Sequence, residues 1–358
     1  MIKGIDNVVR FPVNAQRSSL FGALASILLY RDAYTEDTPF FCGKHQRSCI
    51  RCGGCPNEPF LHKHHLRLYQ YLITITGCAY FWTDKEIGNP FNERYDADAF
   101  SETALDRLSL ALHAAGYRYE SWNKNAGEQA LYDRIKQSVG EGQPVLIKLG
   151  KGDVWAVITG YDEKRSLPYL MKARHAPQVN RDWYENLGNI VFITDRYESD
   201  FTLSEALNHM VRHLNTDGRN RLEQKVYRML ETERDGKKLG AWLNRLNGFA
   251  IENRWHASEC YLNTFMPASD DHAYRKLLSE AADLHLRFHD QAWKVWGLLG
   301  VSSQTGYRLP ADVNELAMKA DVRAELKSLF RELFDLDRRV SCLLRECLAL
   351  PTGTGKKF

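Results

Sequence analysis

The strand-like period of this chain stops near Asp200 and does not return in the 158 residues that follow. No single β fold or α/β alternation can absorb such a break, so the chain must divide into a mixed part and a helical part. Before the break, Ser18-Ser19-Leu20-Phe21-Gly22-Ala23-Leu24-Ala25-Ser26-Ile27-Leu28-Leu29-Tyr30 is apolar on nearly every side. That pattern predicts a buried central helix. Further helices are expected from about Leu66 to Thr76, from Ser101 to a stop at Gly116, and from about Gln129 to Val139. Strand patterns then follow at Pro144–Leu149, Val154–Tyr161, Tyr169–Met171 and Asn189–Thr194. Helices first and strands second predict an α+β domain with an antiparallel sheet over residues 1–200.

After the break, Thr202-Leu203-Ser204-Glu205 has the form of a capping box. Long helical patterns are expected at about 219–233, 238–265, 270–299 and 313–348, giving an all-helical domain over 201–350. The aromatic positions Trp242, Trp255, Tyr261, Phe288, Trp293, Trp296, Phe330 and Phe334 fall at helical spacing and read as core. Residues 351–358 read as a frayed tail, and no internal repeat stands out.

Charge narrows the function classes. Forty-eight Lys and Arg against forty-five Asp and Glu leave +3, which argues against a nucleic-acid-coating surface or a polybasic membrane anchor. No apolar run approaches the roughly 18 residues that span a bilayer, and Met1-Ile2-Lys3-Gly4-Ile5-Asp6 does not open a signal peptide. The expectation is a cytoplasmic protein.

Cysteine is unevenly placed: Cys42, Cys49, Cys52 and Cys55 crowd into one segment, while Cys78, Cys260, Cys342 and Cys347 are scattered. In a reducing compartment such a cluster argues for a metal before disulfides. Two cofactors fit the spacing. Zinc would take Cys42, Cys49, Cys52 and Cys55, with His45 or one of His62, His64 and His65 able to replace a thiolate. A 4Fe-4S cluster would use Cys49-Ile50-Arg51-Cys52-Gly53-Gly54-Cys55, which resembles the ferredoxin loop but carries Pro59 where a fourth cysteine is expected. Free thiols remain a third reading. The expected metal-binding insertion covers residues 39–65, and the surplus of Lys44, Arg47, Arg51, Lys63 and Arg67 over Glu58 around the cysteines reads as a solvated face or a lip for an acidic partner, carrier protein or phosphate. The histidine run before the second helix reads as surface. In the helical part, His285 and His289 sit four apart, a spacing able to hold a metal from one face, but with no third ligand nearby in sequence core hydrogen bonding explains it better.

The order of small-residue helix, helices, Gly142-Gln143-Pro144-Val145-Leu146-Ile147 strand and Trp155 strand ending Gly160-Tyr161-Asp162 resembles papain-like peptidases of the bacteriocin-processing type. It is closer to the amino-terminal domain of butirosin-biosynthesis-type acyltransferases. That group includes two-domain proteins whose helical half contains motifs standing here as Asn253-Arg254-Trp255 and His289-Asp290-Gln291-Ala292-Trp293-Lys294-Val295-Trp296. The resemblance implies a papain-like fold with a nucleophilic cysteine at the amino end of the central helix, a histidine beside the Trp strand and a third polar group beyond it. Here the nucleophile position holds Ser19 with Ser18 beside it. The histidine position holds Val154 after Asp153, no histidine lies between His113 and His175, and Asp195 is the residue compatible with the third role.

Three readings of Ser19 stay open: a helix cap, a ligand contact in a retained cleft with Ser18, Asp153 and Trp155, or a nucleophile served by His175 or Asp153. The expected function is therefore a catalytically degenerate binding protein for a peptide, acyl or amide-type ligand, small or carrier-bound. The alternatives are an acyl or amide transferase or hydrolase using Ser19 or the metal, and a metal or redox sensor. The helical domain is a candidate homodimer surface.

Overall fold

The structure is a computed structural model. It describes residues 2–5, 8, 18–33, 41–42, 47–48, 58–80, 104–149, 154–171, 178–214, 217–305 and 308–350. The chain divides into two compact units: residues 1–72 with 101–200, and residues 73–100 with 201–358. It is broadly α+β, with an antiparallel sheet in the first unit and helices dominating the second. Among the described residues, no helix is long and apolar enough to cross a membrane.

In the first unit, β1 (Ile2–Gly4) precedes α1 (Ser19–Ala33), a two-residue ladder of β2 (Phe41–Cys42) and β3 (Arg47–Ser48), and α2 (Glu58–Ile75), whose last turn belongs to the second unit. Then come α3 (Ala104–Ala114), β4 (Tyr117–Trp122), α4 (Glu128–Gly140), β5 (Val145–Leu149), β6 (Val154–Asp162), β7 (Leu167–Met171), β8 (Gln178–Val179) and β9 (Leu187–Arg196). The sheet order is β4-β9-β5-β6-β7-β8, every described pair is antiparallel, and β1 pairs β6 beyond the end of β5.

Strand β5 lies at the middle and is apolar on both faces, with Val145, Leu146, Ile147 and Leu149 buried. A strand buried on both sides needs cover on both. Helices α1 and α4 both pack on β5 and β6; α4 lays Tyr132 edge-on to Tyr161 and Arg134 over Phe192. Gly116 ends α3 at φ +73°, and a Cβ there would stand 2.6 Å from the Tyr197 carbonyl, so the turn requires glycine.

The second unit holds α5 (Leu203–Leu214), α6 (Asp217–Thr232), α7 (Gly236–Cys260), α8 (His272–Leu298), α9 (Val313–Met318) and α10 (Ala320–Ala349). The capping box opens α5 as expected: the Thr202 N–H donates to Glu205 Oε2 at 2.7 Å, and the Glu205 N–H donates to Thr202 Oγ1 at 3.3 Å. The single helix expected over 313–348 breaks at Lys319, which is extended. Arg323 holds the break by donating to the carbonyls of Ala317, Leu230 and Glu233. Helix α7 ends in a five-residue π turn, Tyr261–Phe265, which brings Tyr261 within 2.7 Å of the Tyr80 hydroxyl. Six of the eight aromatic positions are buried, whereas Trp255 and Trp293 are half-buried.

Candidate functional site at the amino end of α1

Helix α1 begins with two serines that divide the work. Ser18 is the cap: its Oγ accepts the Phe21 N–H at 3.3 Å, and its own N–H donates to the Tyr69 hydroxyl at 3.3 Å. The cap reading therefore belongs to Ser18 and not to Ser19. Ser19 Oγ instead accepts the Trp155 N–H from β6 at 2.9 Å. The structure thus brings Ser19, Ser18 and Trp155 together, with the indole fully buried. Lys148 stands opposite Trp155 in the ladder and is half-buried, so a cation belongs to the same end of the sheet. Helix α1 has no acid in its first turn, and its amino end carries the positive pole of the helix.

Asp195 is not part of this group. Arg31, twelve residues further along α1, donates to the carbonyls of Ile193 at 2.6 Å and Thr194 at 2.5 Å. At a rise of about 1.5 Å per residue, the end of β9 lies roughly 18 Å along the helix from Ser19. Asp195 is exposed there, too far away to orient a base beside Ser19. Asp153 and His175 lie outside the described residues.

The histidine that does meet α1 is His65, which sequence reasoning placed on the surface. It is fully buried, with Nε2 3.1 Å from Ser26 Oγ and 3.2 Å from the Gly22 carbonyl. Ser26 Oγ donates to that same carbonyl at 3.0 Å. The hydrogens close consistently when the His65 Nε2–H donates to Ser26 Oγ, which leaves no lone pair on that nitrogen to act as a base. A signal for its burial was present: His65, Tyr69 and Leu72 follow i, i+4, i+7, one face of a helix that starts at Glu58 instead of Leu66.

The expected zinc or 4Fe-4S cofactor is corrected. Among the described residues, no three His, Cys, Asp or Glu side chains form a group able to hold a metal ion. Cys42 enters through its backbone in β2, opposite Arg47, while His45, Cys49, Cys52 and Cys55 lie outside the described residues. His65 is committed to Ser26. His285 is buried in the second unit, and His289 accepts the Trp293 indole N–H at 3.1 Å. The cysteines Cys78, Cys260 and Cys347 are buried and Cys342 is exposed, and none of the four is in a disulfide. Burial pushes Cys260 up to about 12, and a thiol kept protonated in this way is a poor ligand and a poor nucleophile.

No protein-family model matches this chain, and no curated protein matches it either.

A second polar cluster, missed by sequence reasoning, lies inside the helical unit. Asp337 on α10 accepts Arg254 Nε at 3.0 Å and Nη2 at 2.8 Å, and Arg219 Nη2 reaches it at 2.7 Å. Arg254 also donates to the carbonyls of Ala79 at 2.6 Å and Tyr80 at 3.0 Å, and Arg219 donates to the Leu214 carbonyl at the end of α5. Burial, then the neighbouring Arg338, lowers Arg219 to about 9, and burial with Arg219 beside it lowers Arg254. His285 Nε2 stands 3.6 Å from Asp337 Oδ1. Burial first, and the two guanidiniums second, hold His285 well below the ordinary histidine value, so it is neutral. Neither of its ring nitrogens makes a hydrogen bond within the described residues. Buried in the second unit, the cluster ties α5, α7, α10 and the Ala79-Tyr80 segment together.

Proposed function

We propose that this chain is a catalytically degenerate papain-like protein whose cleft at the amino end of α1 binds a peptide, acyl or amide-type ligand without turning it over. The observation that carries this is the Ser19 hydroxyl, which accepts the Trp155 N–H of β6, while the His65 imidazole is bound two helical turns away at Ser26. A serine needs an adjacent base to act as a good nucleophile, and His65 is committed to Ser26 instead. What the position retains is recognition: the positive pole of α1, the Ser19 hydroxyl and the cation of Lys148 suit a carbonyl or carboxylate oxygen. The order of helix, Trp strand and closing strand supports the papain-like reading, since the helix start and the Trp strand meet as that resemblance implies.

Incubation with the acetyl thioester of N-acetylcysteamine and with a fluorophosphonate, followed by intact-mass analysis, tests the proposal. The expected outcome is no adduct and no thioester hydrolysis above the Ser19→Ala background, while an N-acetyl dipeptide still raises the melting temperature of the wild type. That shift should shrink in Lys148→Ala. A covalent acyl group on Ser19 would replace this reading with an acyl or amide transferase, and a dipeptide without any effect would remove the cleft.

A further inference from the structure

Helices α8 and α10 run antiparallel. Going forward along α8, His285 stands 3.6 Å from Asp337 and Arg287 lies 3.4 Å from Glu332, so the partners run backward along α10. Both helices carry one charge pattern: Glu280-Ala281-Ala282-Asp283-Leu284-His285-Leu286-Arg287, and Glu332-Leu333-Phe334-Asp335-Leu336-Asp337-Arg338-Arg339. Each reads Glu-x-x-Asp-Leu-x-x-Arg. In an antiparallel pair a local two-fold exchanges two such octets, so Arg287 on Glu332 should have a mate in Arg339 on Glu280.

The mate is not made. Glu280 has only Lys276 at 3.9 Å, and neither Arg339 nor Asp283 pairs with another charge among the described residues. Arg338, by contrast, is held by Glu223 at 2.7 Å and by Asp335. Asp283 and Arg339 line a shallow groove between the two helices, next to exposed Cys342 and half-buried Leu343. The groove therefore offers one lone acid and one lone base on a face that is symmetric in its charge pattern.

We infer that this face is where two copies of the chain meet, Arg339 of each reaching Asp283 of the other. An isologous contact requires a surface that complements itself. An acidic or a basic partner would satisfy only one of the two lone charges, whereas a second copy satisfies both and forms two identical ion pairs about the axis. The inference does not depend on what the first unit binds.

Sedimentation equilibrium of the full chain tests it. The wild type is expected to be a dimer. Asp283→Arg and Arg339→Asp should each raise the dimer dissociation constant by roughly a hundredfold, because one reversal creates two like-charge contacts. The double variant D283R/R339D should recover to within about tenfold of the wild type, since the reversed pairs are again opposite. Alkylation of Cys342 in the wild type should slow as protein concentration rises, a readout that needs no variant. A monomer up to about 100 µM, a dimer that ignores both single reversals, or a Cys342 whose alkylation rate does not depend on concentration would overturn the inference.

Discussion

Asp337 sets the charge balance of the helical unit. Two buried guanidiniums meet it, and they donate further to the carbonyls of Leu214, Ala79 and Tyr80. Breaking a buried ion pair by removing one partner leaves an uncompensated charge, which costs more than the pair itself contributes. Asp337→Asn should therefore destabilise the second unit by about 3–5 kcal/mol in urea unfolding. Exposed Asp335→Asn, its neighbour two residues away, should cost under about 1 kcal/mol. Equal losses for the two variants would show that the buried knot carries no special weight. Arg254 stood out in the sequence as part of Asn253-Arg254-Trp255, but its role could not be read there. Its partners are 83 residues ahead and 175 behind, and no local pattern encodes a pairing at that distance.

The elements were more legible than their edges. Helix α1 and strands β5, β6 and β9 follow from unbroken apolar runs, and the capping box of α5 follows from four residues. Strand β4 escaped because it lies at the sheet edge. Tyr117-Arg118-Tyr119-Glu120-Ser121-Trp122 alternates charges with aromatics, as an exposed edge does, and so lacks the apolar density of a central strand. The early start of α2 escaped because its second turn, His62-Lys63-His64-His65, is a basic run.

The turn that ends α2 offers an element-scale test. Gly77 has φ +76°, and a Cβ there would stand 1.9 Å from His213 Cδ2 on α5, so the position combines a left-handed backbone with ring contact. Gly77→Ala should cost more than the roughly 1–2 kcal/mol of backbone strain alone, and adding His213→Ala should return the steric part. Urea midpoints of the single and double variants, read as a mutant cycle, check this. A double variant no better than the sum of the singles would place the cost in the backbone only.

At the scale of the whole molecule, the stop in the strand period at Asp200 coincides with the last residue of the first unit, because a change of period is a change in which faces must be buried. The sequence could not show that residues 73–100 group with the helices, since that rests on contacts such as Arg254 with Ala79 and Tyr80. The same burial makes stability depend on pH. His285 is neutral in the folded chain, held below the ordinary value of 6.5 by burial and then by Arg254 and Arg219. His209 is lowered too, by burial and then by Arg212.

Below about pH 6.5 the unfolded chain binds protons that the folded chain refuses, so stability present above that pH is lost as pH falls toward the folded-state values. One such proton corresponds to about 1.4 kcal/mol per pH unit. Urea unfolding between pH 7.5 and 5.5 should show this decline, and His285→Phe should flatten it by about one proton while keeping the stacking place between Tyr80 and Tyr261. His209→Gln should remove a smaller part, because His209 is less deeply buried. If the slope of His285→Phe equals that of the wild type, the imidazole takes up its proton in the folded state, and the Arg254, Arg219 and Asp337 cluster must then accommodate a third cation.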